Sequence, residues 1–157
     1  MATQAYRDWA KAGRPWKKAV PIAELETLAR RHRIAVLGTL GDDSHLQDAT
    51  PEDHTPFSID AWPVSLPGYV VTAIDLKNEQ NLGSRLLSDG RAGRIPWLKY
   101  LNFNGRHYDA RHDWQPRSSA DRHVHVSIRS DWCNRSIGDY NPFTGGGSQP
   151  GPYTVVA

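Results

Sequence analysis

A chain of 157 residues with 38% hydrophobic and 23% charged side chains has the size and composition of one globular domain, and excludes a disordered chain. Its formal net charge of +2 and pI near 8.8 are too weakly basic to argue for nucleic acid, though they favour approach to an anionic polymer. The lone Cys133 excludes an internal disulfide, and no stretch reaches the ~18 consecutive apolar residues that a membrane-spanning helix requires.

The first twenty residues carry Arg7, Lys11, Arg14, Lys17 and Lys18 and no uninterrupted apolar run, which is not the pattern of a secretory signal. The expectation is a protein made in the cytoplasm that reaches any outside target by release or delivery. This opening stretch reads as polar, with Trp9, Pro15 and Trp16 as anchors. Ile22, Leu25, Leu28 and Ala29 recur at helical spacing behind Pro21, and predict an amphipathic helix over 22–33. A short apolar strand follows over 34–40, closed by Gly41, Asp42 and Asp43. Pro51, Pro56, Pro63 and Pro67 then keep the chain in loops up to Gly68.

Residues 69–76 read as a buried strand that turns polar at Asp75, and 78–88 as a helix stopped by Asp89 and Gly90. Asn104-Gly105 is the preferred pair for a type I′ turn between strands 97–103 and 106–108. A loop with Trp114 and Pro116 leads to 123–128, where polar and apolar residues alternate strictly. Beyond Trp132 the segment 133–157 is rich in Gly and Pro and reads as irregular. The order of elements predicts a single α+β domain over 1–157, a small antiparallel sheet with flanking helices, and a working core over about 22–132.

The strongest chemical signal is His123-Val124-His125-Val126-Ser127-Ile128. In a strand, His123, His125 and Ser127 share one face while Val124, Val126 and Ile128 point into the core. Two imidazoles at this spacing stand roughly 6.5–7 Å apart, wide for one ion with bonds of about 2.0–2.1 Å. One is then expected to bind metal while the other faces substrate; a surface strand can also carry two histidines with no ligand. Asp75 ends an apolar strand in a carboxylate, which needs a partner there: a divalent metal, or the ordinary alternative of an arginine or a capped loop. With His54 from the loop, Asp75 and His125 supply nitrogen and oxygen donors that zinc accepts, and three protein ligands leave a fourth position open.

Ser44-His45, Asp53-His54, Ala73-Ile74-Asp75 and the His-x-His-x-Ser strand resemble the zinc D-Ala-D-Ala carboxypeptidases and phage L-alanyl-D-glutamate endolysins, members of the hedgehog-like metallopeptidases. Residues 99–106 and Trp114 resemble segments between the two halves of that site. The likeness runs from about Ser44 to Ile128. It implies a hedgehog-like fold, Zn2+ held by His54, Asp75 and His125, and hydrolysis of an amide in the peptide of cell-wall peptidoglycan. It implies neither a nucleic-acid nor a membrane partner, and the chain is expected to act as a monomer.

The sequence also departs from that pattern. The family's first two ligands stand seven positions apart, whereas His54 and Asp75 are 21 apart, which makes Asp60 a local competitor and requires an insertion with Trp62 to loop out. Many relatives carry an acid three positions before the last ligand; here that position is Arg122. His123 is therefore the expected acid–base group, with Asp121 as the acidic reserve. His45 is expected to line the cleft or orient a ligand, and Asp53 either to hold the second nitrogen of His54 or to serve as a turn residue. His32, His107 and His112 are expected to be solvated. Arg85, Arg94 and Arg106 read as surface residues, one of which could bind a substrate carboxylate. Two rival readings remain open: a metal-dependent nuclease, suggested by Asp121-Arg122-His123 and the basic pI, and a non-catalytic wall-binding or structural module, suggested by Arg122.

Overall fold

Thr3 opens the first helix in the computed structural model of the chain, which describes residues 3–41, 46, 54, 56 and 69–143. Its side-chain oxygen accepts the Tyr6 amide at 3.1 Å, a helix N-cap. The helix α1 (Gln4–Lys11) buries Tyr6 and Trp9 one turn apart against Leu46, so the opening stretch is a packed element and not a polar lead-in. A two-residue strand β1 (Lys17–Lys18) precedes α2 (Val20–Arg31), which buries Ile22, Leu25 and Ala29. The expected helix over 22–33 ends earlier because Arg33 takes φ 60°, and the amides of Arg33 and Ile34 turn back to the carbonyls of Arg30 and Ala29.

The strand expected over 34–40 is reduced to β2 (Val36–Gly38), with a register shift between Val36 and Gly38 that leaves Leu37 exposed. The strand expected over 69–76 is two pieces, β3 (Val70–Val71) and β4 (Ala73–Leu76), broken at buried Thr72. The second long helix, α3 (Leu82–Arg91), runs through Asp89 and Gly90. A Cβ on Gly90 would meet the Trp114 ring at 3.1 Å, so the glycine is a packing residue. Asp89 is buried between Arg94 at 3.0 Å and the Tyr140 hydroxyl at 2.7 Å. The stop lies at Gly93, φ 73°, where the amides of Gly93 and Arg94 return to the carbonyls of Gly90 and Asp89.

Strands β5 (Leu98–Phe103) and β6 (Arg106–Asp109) form the expected hairpin, with both Asn104 and Gly105 at positive φ as a type I′ turn demands. A single 3-10 turn (Ala110–His112), β7 (Arg117–Ser118) and β8 (Val124–Ile128) follow. Among the described residues six strands pair antiparallel in the order β2-β4-β8-β5-β6-β7, while β1 and β3 form a separate parallel pair. The protein is thus α+β. One face of the central strands, with Ile74, Leu76, Leu101, Val124, Val126 and Ile128, joins α2 and α3 in one hydrophobic core. Cys133, Ile137 and Phe143 belong to that core, so packing continues beyond 132; residues 144–157 lie outside the described part. Among the described residues no helix is long and apolar enough to cross a membrane.

Candidate metal centre

The face of the sheet opposite the helices carries the polar residues. Pairing aligns Asp75 on β4 with His125 on β8, His125 with Asn102 on β5, Asn102 with His107 on β6, and His107 with Arg117 on β7. Directly paired residues point to the same side of a sheet, so the five form one cross-strand row. A second row, Ser127, Tyr100 and Asp109, runs beside it.

Three donor atoms converge at one end of the first row. His54 Nε2 and Asp75 Oδ1 are 3.1 Å apart, His125 Nδ1 and Asp75 Oδ1 are 3.0 Å apart, and the two imidazole nitrogens are 3.1 Å apart. The far sides of the rings fix which atoms face inward. His54 Nδ1 lies 2.7 Å from the Thr39 carbonyl, which can only accept, so Nδ1 carries the hydrogen and the neutral ring presents the Nε2 lone pair. His125 Nε2 lies 2.8 Å from Ser127 Oγ and 3.1 Å from the Tyr100 hydroxyl. Donation from Nε2 to the serine leaves the Nδ1 lone pair to the cluster, and the Tyr100 ring stacks on His125 at 13°. Outer hydrogen bonds of this kind orient imidazole ligands in metal sites.

Three lone pairs about 3 Å apart repel unless a proton or a cation lies among them. Tetrahedral bonds of about 2.0–2.1 Å separate donors by roughly 3.3–3.4 Å, so this triangle accepts an ion after a small outward movement. His54, Asp75 and His125 could therefore hold a metal ion. Burial would raise the Asp75 carboxyl, but His125 and His54, when a proton stands in place of a cation on the nitrogens that face it, hold it well below the usual carboxylate range through hydrogen bonds and charge. A carboxylate between two imidazoles suits a divalent cation.

His123 comes closer than strand spacing suggests. It precedes β8, so alternation does not bind it, and its Nε2 stands 3.1 Å from Asp75 Oδ1. Asp121, His123 and His125 also form a second group of mutually close donor atoms, which overturns the expected separation of the two imidazoles. Asp121 Oδ1 is 3.8 Å from His123 Nε2, and its Oδ2 accepts from Asn102 Nδ2 at 2.8 Å. Side-chain exposure rises from 8% at His125 to 31% at His123 and Asp121, so the cluster opens to solvent on the side of the last two. That opening is a cavity of about 550 Å³, also lined by Leu37, Gly38 and Leu40. Arg122 does not line it; its guanidinium lies beside Gly105 in the hairpin turn.

The other polar residues are engaged. His107 contacts Asn102 Oδ1 and Asp109 Oδ2, each at 2.7 Å; His112 contacts Asp109 at 2.7 Å; His32 contacts Asn141 at 3.1 Å. None of the three is simply solvated, as the sequence suggested. Asn102 had no signal in the sequence beyond its place in a hairpin strand, yet it ties Asp121 to His107. Arg85 donates to the Pro142 carbonyl and Arg94 to Asp89. Trp114 lines a second cavity beside the first. His45, Asp53, Asp60 and Trp62 lie outside the described residues. A scan against protein-family models found no match to the chain, and neither did searches of curated proteins or of solved structures.

Proposed function

We propose that the protein is a zinc-dependent peptidase, on a hedgehog-like peptidase fold, that hydrolyses an amide in the peptide of bacterial peptidoglycan. The observation that carries the reading is the triangle of His54 Nε2, Asp75 Oδ1 and His125 Nδ1 with sides of 3.0–3.1 Å, open on one side to a cleft. Zinc held there would lower the pKa of water and polarise a carbonyl.

The chain's own residues would do the rest. Hydrolysis adds water across the C–N bond, so one proton leaves the attacking water and one reaches the departing nitrogen, giving a carboxylate and an amine. His123 faces the cleft within reach of the cluster and is the residue proposed to carry that proton. Asp121, fixed by the Asn102 amide, stands next to it as a second acceptor. Tyr100 and Ser127 hold the His125 ring in its ligating orientation. Leu37 and Leu40 give the cleft an apolar rim against which a peptide's aliphatic groups can lie.

Purified peptidoglycan, incubated with zinc-loaded and with chelated protein, tests the reading when soluble fragments are analysed by mass spectrometry. Cleavage within the stem peptide is expected only with metal; intact wall in both samples would defeat the proposal. One observation favours a second reading. His123 Nε2, 3.1 Å from Asp75 Oδ1, could complete a fourth ligand and close the site, as in structural zinc centres. A wall-binding module without turnover would then be the better description.

A further inference from the structure

Beyond Tyr100, which lines the metal cleft, lies a second cavity of about 750 Å³ that Tyr100 also lines. The two are joined by the sheet surface. Neighbouring strands stand about 4.8 Å apart, so Arg117 on β7 is three strands, or roughly 14 Å, from His125 on β8. A peptide lying across the row covers that distance in about four extended residues.

The walls of this second cavity carry a surplus of positive charge. Lys99, Arg111, Arg117 and Arg129 line it, and the one carboxylate lining it among the described residues is Asp109. That carboxylate is already engaged by His107 and His112, each at 2.7 Å. Arg129 is held by Asp131 through two contacts of 3.0 and 2.8 Å. The Arg117 guanidinium touches the His112 ring at 3.0 Å and 3.3 Å, and neither it nor Arg111 meets an acid among the described residues. The register shift in β5 between Leu98 and Tyr100 inserts Lys99 as an extra residue, and it lines the cavity beside Tyr100. Trp114 and Leu98 supply an apolar wall. Guanidinium groups next to an aromatic wall suit a carboxylate on an aliphatic or peptide frame.

We propose that this cavity is a specificity subsite in which Arg111 and Arg117 bind a carboxylate of the substrate, about three to four residues' length from the bond that is cut. The proposal rests on the peptidase reading for its substrate, while the binding itself does not. The protein therefore selects acidic peptides over their amidated counterparts.

The test uses the full chain, a synthetic Ala-γ-Glu-Lys-Ala peptide with both carboxylates free, and the same peptide as its bis-amide. Calorimetry measures binding, and mass spectrometry of the same samples measures cleavage. The free acid is expected to bind at least about tenfold more tightly than the bis-amide, the usual scale of a charge-assisted pair. In the Arg111→Gln/Arg117→Gln variant that preference should collapse towards one, with the loss falling on KM and not on kcat where cleavage is seen. Both arginines are exposed, so the variant should melt at the parent temperature. Acid-selective binding that the variant abolishes, without any cleavage, supports the subsite and counts against the peptidase. Cleavage of acid and bis-amide alike, or selectivity unchanged in the variant, overturns the subsite and leaves the peptidase. Tighter binding of inorganic phosphate or of a short single-stranded oligonucleotide than of the acid, lost in the same variant, also overturns it.

Discussion

Asp75 Oδ1 is met by three imidazole nitrogens, of His54, His123 and His125, all within 3.0–3.1 Å. Replacing Asp75 by Ala removes the anion that holds them together, and bound zinc and hydrolysis should vanish together; elemental analysis alongside a peptidoglycan digest checks this. His123→Ala separates two roles. Zinc near one ion per chain with hydrolysis down by about 10²–10⁴-fold would make His123 the proton carrier, whereas loss of zinc would make it a fourth ligand. A third residue concerns stability alone. Thr72 is fully buried and its hydroxyl has no hydrogen-bond partner among the described residues, so Thr72→Val should raise stability by about 1 kcal/mol in a urea melt. Asp75 and His125, two of the three residues that converge, were legible because the His-x-His-x-Ser alternation and a carboxylate ending an apolar strand are local patterns. The Thr39 carbonyl behind His54 was not, since it meets the ring only through tertiary contact across 15 positions.

Helix ends are set by local signals, and the stronger of two can lie further along the chain. Asp89-Gly90 looked like a stop, but Gly90 makes room for Trp114, and the turn waits for Gly93. At the end of α2 the same backbone turn is made with Arg33, an exposed residue at φ 60°. A side chain there costs roughly 1–2 kcal/mol over glycine, offset in part by glycine's greater freedom when unfolded. Arg33→Gly should therefore stabilise by about 0.5–1 kcal/mol, seen as a higher midpoint with an unchanged slope in denaturant. The first helix had its signals too: Thr3 as cap and Tyr6 and Trp9 one turn apart. The surrounding Arg7, Asp8 and Lys11 dilute that apolar stripe.

At the scale of the whole molecule, the three proposed ligands come from chain positions 54, 75 and 125, so a bound ion ties three distant stretches together. Chelation should lower the melting temperature by about 5–10 °C if zinc is normally near a hundred times its dissociation constant. The chelated protein should then show the Asp75 carboxylate in its pH profile. A carboxyl held low in the fold stabilises above the ordinary carboxylate range and loses that contribution as pH falls through its folded value. Melting temperature should therefore drop on acidification below about pH 4, and drop less in Asp75→Asn. The strand order that sets this arrangement could not be read from the sequence. Local alternation says which residues share a face, but only pairing of β8 between β4 and β5 lines up Asp75, His125 and Asn102.

That central place of β8 has a kinetic consequence. Its backbone is bonded on both sides, to β4 and to β5, and all of its side chains are buried. No fraying motion at an edge can free it, because both ladders must part before water reaches its amides. Amide hydrogens of Val124–Ile128 should consequently exchange with deuterium only through global unfolding, among the slowest in the chain. The same cooperativity fixes how long the His125 ring keeps its orientation: the proposed ligand is carried by one of the segments slowest to open.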